Sequence, residues 1–154
     1  DGVADPASAG RADLPCEVVE GGLPWKTLGV GRVDAWGQGF RYRPDGAFVA
    51  AGGIPLPPST ADGIVVFDAE RGARLTLSNP DAPAAVVLSC GRNRAADGAN
   101  VRRAVRREVG CGSSFTPSKR YAYGRPRVDF DDVTLWVSRN TLLARLVSAG
   151  EWPR

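Results

Sequence analysis

Asp34-Ala35-Trp36-Gly37, followed at once by Phe40-Arg41-Tyr42-Arg43, is the stretch that most restricts how this chain can fold. An aspartate can bond the backbone two residues on, and Gly37 and Gly39 tolerate positive φ, so the run predicts a tight reversal. Trp36, Phe40 and Tyr42 then supply large buried area beside it, so the reversal feeds a short aromatic strand. The same economy runs through the chain. Its 19 glycines and 12 prolines in 154 residues favour short strands and many turns over long helices.

The remaining elements follow from local pattern. Residues 1–22 are rich in Gly, Ala, Asp and Pro without a period and read as loop-like or partly disordered. Pro44-Asp45-Gly46 predicts a turn between the strands FRYR and AFVA, and the three prolines of 52–63 rule out a central strand there. Ile64-Val65-Val66-Phe67 and Arg74-Leu75-Thr76-Leu77 flank a Gly-containing turn and read as a hairpin. Ala84 to Ser89 has the apolar run of a buried central strand, so three strands in close succession imply an antiparallel meander. Val101, Val105 and Val109 suggest a short helix, and a last strand is expected over Val128–Val137. Ser138 can cap a final helix with Leu142, Leu143, Leu146 and Val147 on one face and Gly150 at its end. With no repeat and no linker, residues 1–154 read as a single α+β domain: a small antiparallel sheet with short helices.

The chemistry is bounded chiefly by what is missing from the composition. There is no histidine, which excludes Ser-His-Asp triads, Cys-His pairs and ordinary His-ligated zinc. The formal charge is +3, and all but two of the 20 basic residues are arginine. No apolar run reaches the roughly 18 residues of a membrane span, and no signal peptide is visible. Asp1 begins inside a turn-like sequence that looks like the trimmed end of something longer.

Three cysteines stand at 16, 90 and 111, without a C-x-x-C pair. Cys90 and Cys111 bracket a polar, Arg-rich excursion whose closure by a disulfide would stabilise by roughly 3 kcal/mol in an oxidising compartment. Cys16 is then unpaired, its partner expected upstream of Asp1; three unrelated buried thiols are the alternative. Asp97, Asp129, Asp131 and Asp132 are the carboxylate cluster a hard cation such as calcium could use. The alternative is that Asp131 and Asp132 end a strand and pair with arginines. A glycosidase acid and base among them lacks any sign of two carboxylates set across a cleft, so no enzyme activity is expected. Arg92, Arg94, Arg102, Arg103, Arg106 and Arg107 form a basic segment that could attract phosphate, with Tyr121 and Tyr123 available for stacking. An amphipathic helix with a solvated arginine face explains the segment equally well.

Three blocks, taken in order, resemble type IV pilins and type II secretion pseudopilins, the prepilin-type cleavage/methylation proteins. They are LPWKTLG with DAWGQGFRYR; Val86 to Asn93, similar to an S-x-G-x-[ND] strand end; and Phe130-Asp131-Asp132-Val133-Thr134-Leu135-Trp136, similar to D-[IV]-x-x-W. The continuation VSRNTLLARLVSAGEWP is similar to the closing segment of a bacterial pilin-like subfamily. The resemblance implies a headpiece whose sheet packs on a long N-terminal helix that is missing here. It implies a structural subunit, major or minor, of a pilus or secretion filament in the bacterial cell envelope, periplasmic or extracellular. Its partners would be other pilin or pseudopilin subunits and the inner-membrane assembly machinery, with membrane contact only through the missing helix. In major pseudopilins the loop between the second and third blocks binds calcium, which implies Asp97 and Asp132 as ligands and no other cofactor. The chain departs from that pattern at Asn93-Arg94, where major pseudopilins carry an acidic residue and a glycine. Some pilin-like proteins bind DNA for uptake, which is the alternative role for Arg92–Arg107. Trp25, Trp36, Trp136 and Trp152 are candidate core or interface anchors.

Overall fold

The computed structural model describes residues 20–49, 53–54, 56–76, 81–97, 100 and 119–151. Its centre is β4 (Pro83–Ser89), the apolar run that the pattern assigns to a buried strand. β4 is flanked antiparallel by β2 (Arg41–Pro44) on one side and β6 (Val133–Ser138) on the other, and β1 (Gly21–Gly22) pairs with β2. The sheet order is β1-β2-β4-β6. A second sheet holds β3 (Val65–Asp68) and β5 (Arg120–Tyr123), paired in parallel. The short helix α1 (Trp25–Leu28) lies between β1 and β2, and α2 (Arg139–Ser148) follows β6 directly. The fold is therefore α+β, built on a small antiparallel sheet.

Register decides what each face of the large sheet carries, because residues paired across strands share a face. Arg41, Leu88 and Thr134 form one such row, and Arg43, Val86 and Trp136 the next. This face meets the second sheet: Ile64, Val66, Val86 and Tyr121 form a buried cluster with Trp136 packed against it. The Trp136 and Tyr123 rings meet edge to face at 5.4 Å. On the opposite face, Tyr42, Val87 and Leu135 make one row, and Pro44, Ala85 and Val137 another. That face is open: Leu135 is 63% exposed, Val137 40% and Val133 39%.

Three expectations are corrected. The meander does not form, because β2 pairs directly with β4 while β3 joins β5 in the other sheet. The turn after β3 does close, with Asp68 accepting the Glu70 and Arg71 amides and Leu75 N donating to Val66 O. However, the Val66 amide donates to the Thr76 hydroxyl, which replaces the next ladder bond, and Arg74 makes only an isolated bridge to Phe67. Nor do the described residues of AFVA, 47–49, form a strand. Asp45 accepts the Ala47 amide and caps a short 3-10 helix (Gly46–Phe48), while its carboxylate also takes the Ala61 and Asp62 amides of the proline loop. The last strand begins at Val133 rather than Val128, because Arg127 and Phe130 bond each other in a turn.

The final helix forms as expected. Ser138 Oγ accepts the Thr141 amide at 3.1 Å. Gly150, at φ 71°, ends it, with the Gly150 and Glu151 amides returning to Val147 and Leu146 carbonyls. Its Leu142, Leu143 and Leu146 are only half-buried. The expected helix over Val101–Val109 and Trp152 lie outside the described residues.

Candidate functional site

The Asp34 turn anchors one side of the site. Asp34 Oδ1 accepts the Trp36 amide at 2.9 Å and the Gln38 amide at 2.8 Å, while Oδ2 accepts the Ser89 hydroxyl at 2.6 Å. Burial alone would raise the Asp34 pKa, but the Ser89 hydroxyl, the two amides and the charge of Arg94 outweigh it and hold the carboxyl below its usual value. Ser89 Oγ in turn accepts the Gly91 amide, so the end of β4 is tied to the turn before β2.

Gly91 then brings the third block into contact. It sits at φ 59°, and a Cβ there would lie 2.2 Å from Asp131 O and 2.7 Å from its carboxyl. Only glycine permits this approach. Three residues on, Arg94 also has positive φ, at 61°. An arginine here accepts a conformation that side chains seldom adopt. Asn93 closes the loop: its amide donates to Asp131 Oδ2, its side chain donates to both Asp97 oxygens, and its Oδ1 accepts the Ala95 amide.

Asp97 and Asp132, the two sequence candidates, are brought together, and Asp131 joins them. One carboxylate oxygen of each lies within 4.8 Å of the others. Asp132 is 1% exposed. Its Oδ2 accepts the Asp97 amide at 2.8 Å and Asn100 Nδ2 at 2.9 Å, while the Asp131 amide donates to Asp97 Oδ2 at 2.9 Å. Among the described residues no cation pairs with any of the three. Asp131 Oδ1 and Asp132 Oδ1 are buried with no hydrogen-bond partner among the described residues. Burial pushes the Asp132 carboxyl up to about 6; the Asp97 amide and Asn100 oppose the rise, and the charges of Asp97 and Asp131 add to it.

Three clustered carboxylates with two bare buried oxygens suit a hard cation, which takes carboxylate, carbonyl and water oxygens and no nitrogen or sulfur. Asp129 is not part of the group; it is exposed and pairs with Arg127 at 2.7 Å. Sequence reasoning missed Asn93, Gly91 and Asn100 as partners of the cluster. The i, i+4 spacing of Asn93 and Asp97 was the available signal; for Asn100, alone in a polar stretch, there was none.

The basic segment is only partly visible. Arg92 and Arg94 are exposed. Arg102, Arg103, Arg106 and Arg107 lie outside the described residues. Tyr121 is buried and its hydroxyl donates to Glu20, so it is not available to stack on a base. Tyr123 is about half exposed, with its ring against Trp136. Cys90 is buried and disulfide-bonded, and both Cys16 and Cys111 lie outside the described residues. Trp36 is exposed, while Trp25 and Trp136 are partly buried.

Compared with known proteins, the chain matches no protein family, no curated protein and no solved structure.

Proposed function

We propose that this chain is the headpiece of a pilin or pseudopilin subunit, with a structural rather than a catalytic role. The observation that carries the reading is the open apolar face of the large sheet, with rows Tyr42–Val87–Leu135 and Pro44–Ala85–Val137. Exposed apolar faces of this kind mark surfaces that expect a partner. In this reading the partner is an apolar helix N-terminal to the headpiece, which lies along the sheet and bundles with its copies in a filament core. Further support comes from the three resemblance blocks touching one another: Asp34 to Ser89, Gly91 to Asp131, and Val86 beside Trp136. The setting is the cell envelope, with sister subunits and the assembly machinery as partners.

Calcium belongs to the same reading. Asp97, Asp131 and Asp132 would hold it, and its two positive charges would offset most of the repulsion among three carboxylates between the loop after β4 and the loop before β6. The residues here do the positioning: Asn93 and Asn100 orient the carboxylates, and Gly91 leaves room for Asp131.

The test of the assembly reading is the full-length gene product. An apolar segment of about 20 residues ahead of the headpiece, membrane association and entry into filaments are expected. Leu135→Asp should leave the headpiece folded and block assembly. A gene product without such a segment, or robust hydrolase turnover by the purified chain, would refute the assignment. For the ion, calcium should raise the melting temperature by mass action and Asp132→Ala should abolish the rise.

A further inference from the structure

Asn100 stands where three buried elements meet. Its Nδ2 donates to Asp132 Oδ2 at 2.9 Å and to Ala122 O at 3.1 Å, and its Oδ1 accepts the Ala122 amide at 2.8 Å. Its main-chain carbonyl accepts Arg41 Nη1 at 3.3 Å. Arg41 closes on Glu20 through Nε, at 2.7 Å, and through Nη2. The Tyr121 hydroxyl donates to the other Glu20 oxygen. Glu20, Arg41, Asn100, Tyr121 and Asp132 are all buried. A continuous run of buried hydrogen bonds therefore joins the carboxylate cluster to the residue immediately ahead of β1. Such networks are rigid when satisfied, since each bond polarises the next in a medium of low dielectric.

We infer that Asn100 is a positioning residue through which a divalent cation at Asp97, Asp131 and Asp132 fixes the chain at Glu20. The inference rests on the calcium reading above and adds the linkage to it. Asn100 and the Asp97 amide occupy Asp132 Oδ2, while Oδ1 is buried with no partner among the described residues, so a fixed carboxylate keeps one oxygen free for a metal. Residues that orient a metal ligand in this way are typically worth 10- to 100-fold in metal affinity. A cation that draws the carboxylates together tightens the Asn100 side chain, and the same residue's carbonyl carries the Arg41 contact. Because coupling between sites is reciprocal, whatever the cation adds at Glu20, Glu20 returns to the cation as affinity. In the proposed subunit, the chain ahead of β1 leads toward the filament helix. The ion then sets how firmly the head is held to its stalk.

The experiment is calcium chloride titration by calorimetry together with amide exchange of peptides covering 20–22 and 120–123. It compares the whole chain with Asn100→Ala, Arg41→Lys and Glu20→Gln, each well below its melting temperature. Calcium should slow exchange at both peptides in the parent chain. Asn100→Ala should weaken calcium about 10-fold or more. Arg41→Lys and Glu20→Gln should weaken it several-fold without touching a carboxylate of the site, and should remove the calcium-dependent protection at 20–22. If Asn100→Ala does not fold, the other two variants carry the test. Calcium binding with unchanged exchange at 20–22, or variants that melt lower yet keep the parent affinity, overturns the linkage alone. No calcium binding by the parent chain overturns the linkage and the calcium reading together.

Discussion

Gly91→Ala separates two reasons for a glycine, and Gly72→Ala is its control. Both positions have positive φ, 59° and 65°, so each alanine pays the same left-handed penalty of about 1–2 kcal/mol. They differ in surroundings. Around Gly72 nothing among the described residues lies within 4 Å of an added Cβ, whereas at Gly91 the added carbon falls 2.2 Å from Asp131 O and 2.7 Å from its carboxyl. The nearest atom belongs to the backbone, so relief requires the loop before β6 to move. Overpacking of this kind typically adds about 1–3 kcal/mol. Gly91→Ala should therefore destabilise by about 2–5 kcal/mol and Gly72→Ala by no more than about 2 kcal/mol. Urea denaturation with a shared m-value measures both. The same displacement should move Asp131 and remove any calcium-dependent rise in melting temperature for Gly91→Ala alone. Equal losses in the two variants, within about 0.5 kcal/mol, would refute the close-contact argument and leave only the backbone conformation.

Asp132 makes stability depend on pH in the unusual direction. Its carboxyl titrates near 6 in the folded chain against 3.8 when unfolded, so the folded state binds the proton more tightly. Stability should rise by roughly 2 kcal/mol, after allowance for solvent screening, as pH falls from about 6 to about 4, and Asp132→Asn should flatten that slope. Asp34 acts oppositely. Its depressed pKa contributes stability above its ordinary value that is lost as pH falls further, and Asp34→Ala should cost about 2 kcal/mol in thermal melts by removing the Ser89, Trp36 and Gln38 bonds. Leu135→Asp should change headpiece stability by less than about 0.5 kcal/mol, because the side chain is 63% exposed. Non-reducing peptide mapping should recover Cys90 linked to Cys111 with Cys16 alkylatable; a link from Cys90 to Cys16 would refute that pairing.

What was legible in the sequence was local. The Asp34 turn, the Ser138 cap and the Gly150 stop each depend on residues a few positions apart, and each forms as the residue types dictate. The four aspartates 97, 129, 131 and 132 were legible as a cluster, but only the resemblance singled out Asp97 and Asp132, and nothing local told Asp131 from Asp129. The buried arginines were not legible. Phe40 and Tyr42 read as the buried side of their strand, yet it is Arg41 and Arg43 that point to the interior, where Arg41 meets Glu20 and Arg43 reaches Asp62 at 3.5 Å. The inversion leaves Tyr42 on the open face, and nothing within FRYR distinguishes the two registers. The β3–β5 pair was hidden for a related reason: parallel pairing joins segments far apart in sequence, and neither strand's pattern names its mate.

That separation has a kinetic consequence. Arg41 pairs with Leu88 in the large sheet and Val65 with Arg120 in the small one, so a founding contact of each sheet closes a loop of roughly 50 residues. Neighbouring hairpins cannot nucleate such a topology, and β4 must wait for one partner made well before it and another made well after. Folding on the millisecond-to-second scale of non-local β proteins is expected. During that interval the uncharged stretch Val133–Ser138 stands without its mate. A nascent chain is then most exposed to adhesion in the moments before its last strand docks, and a waiting holdase would find its target there.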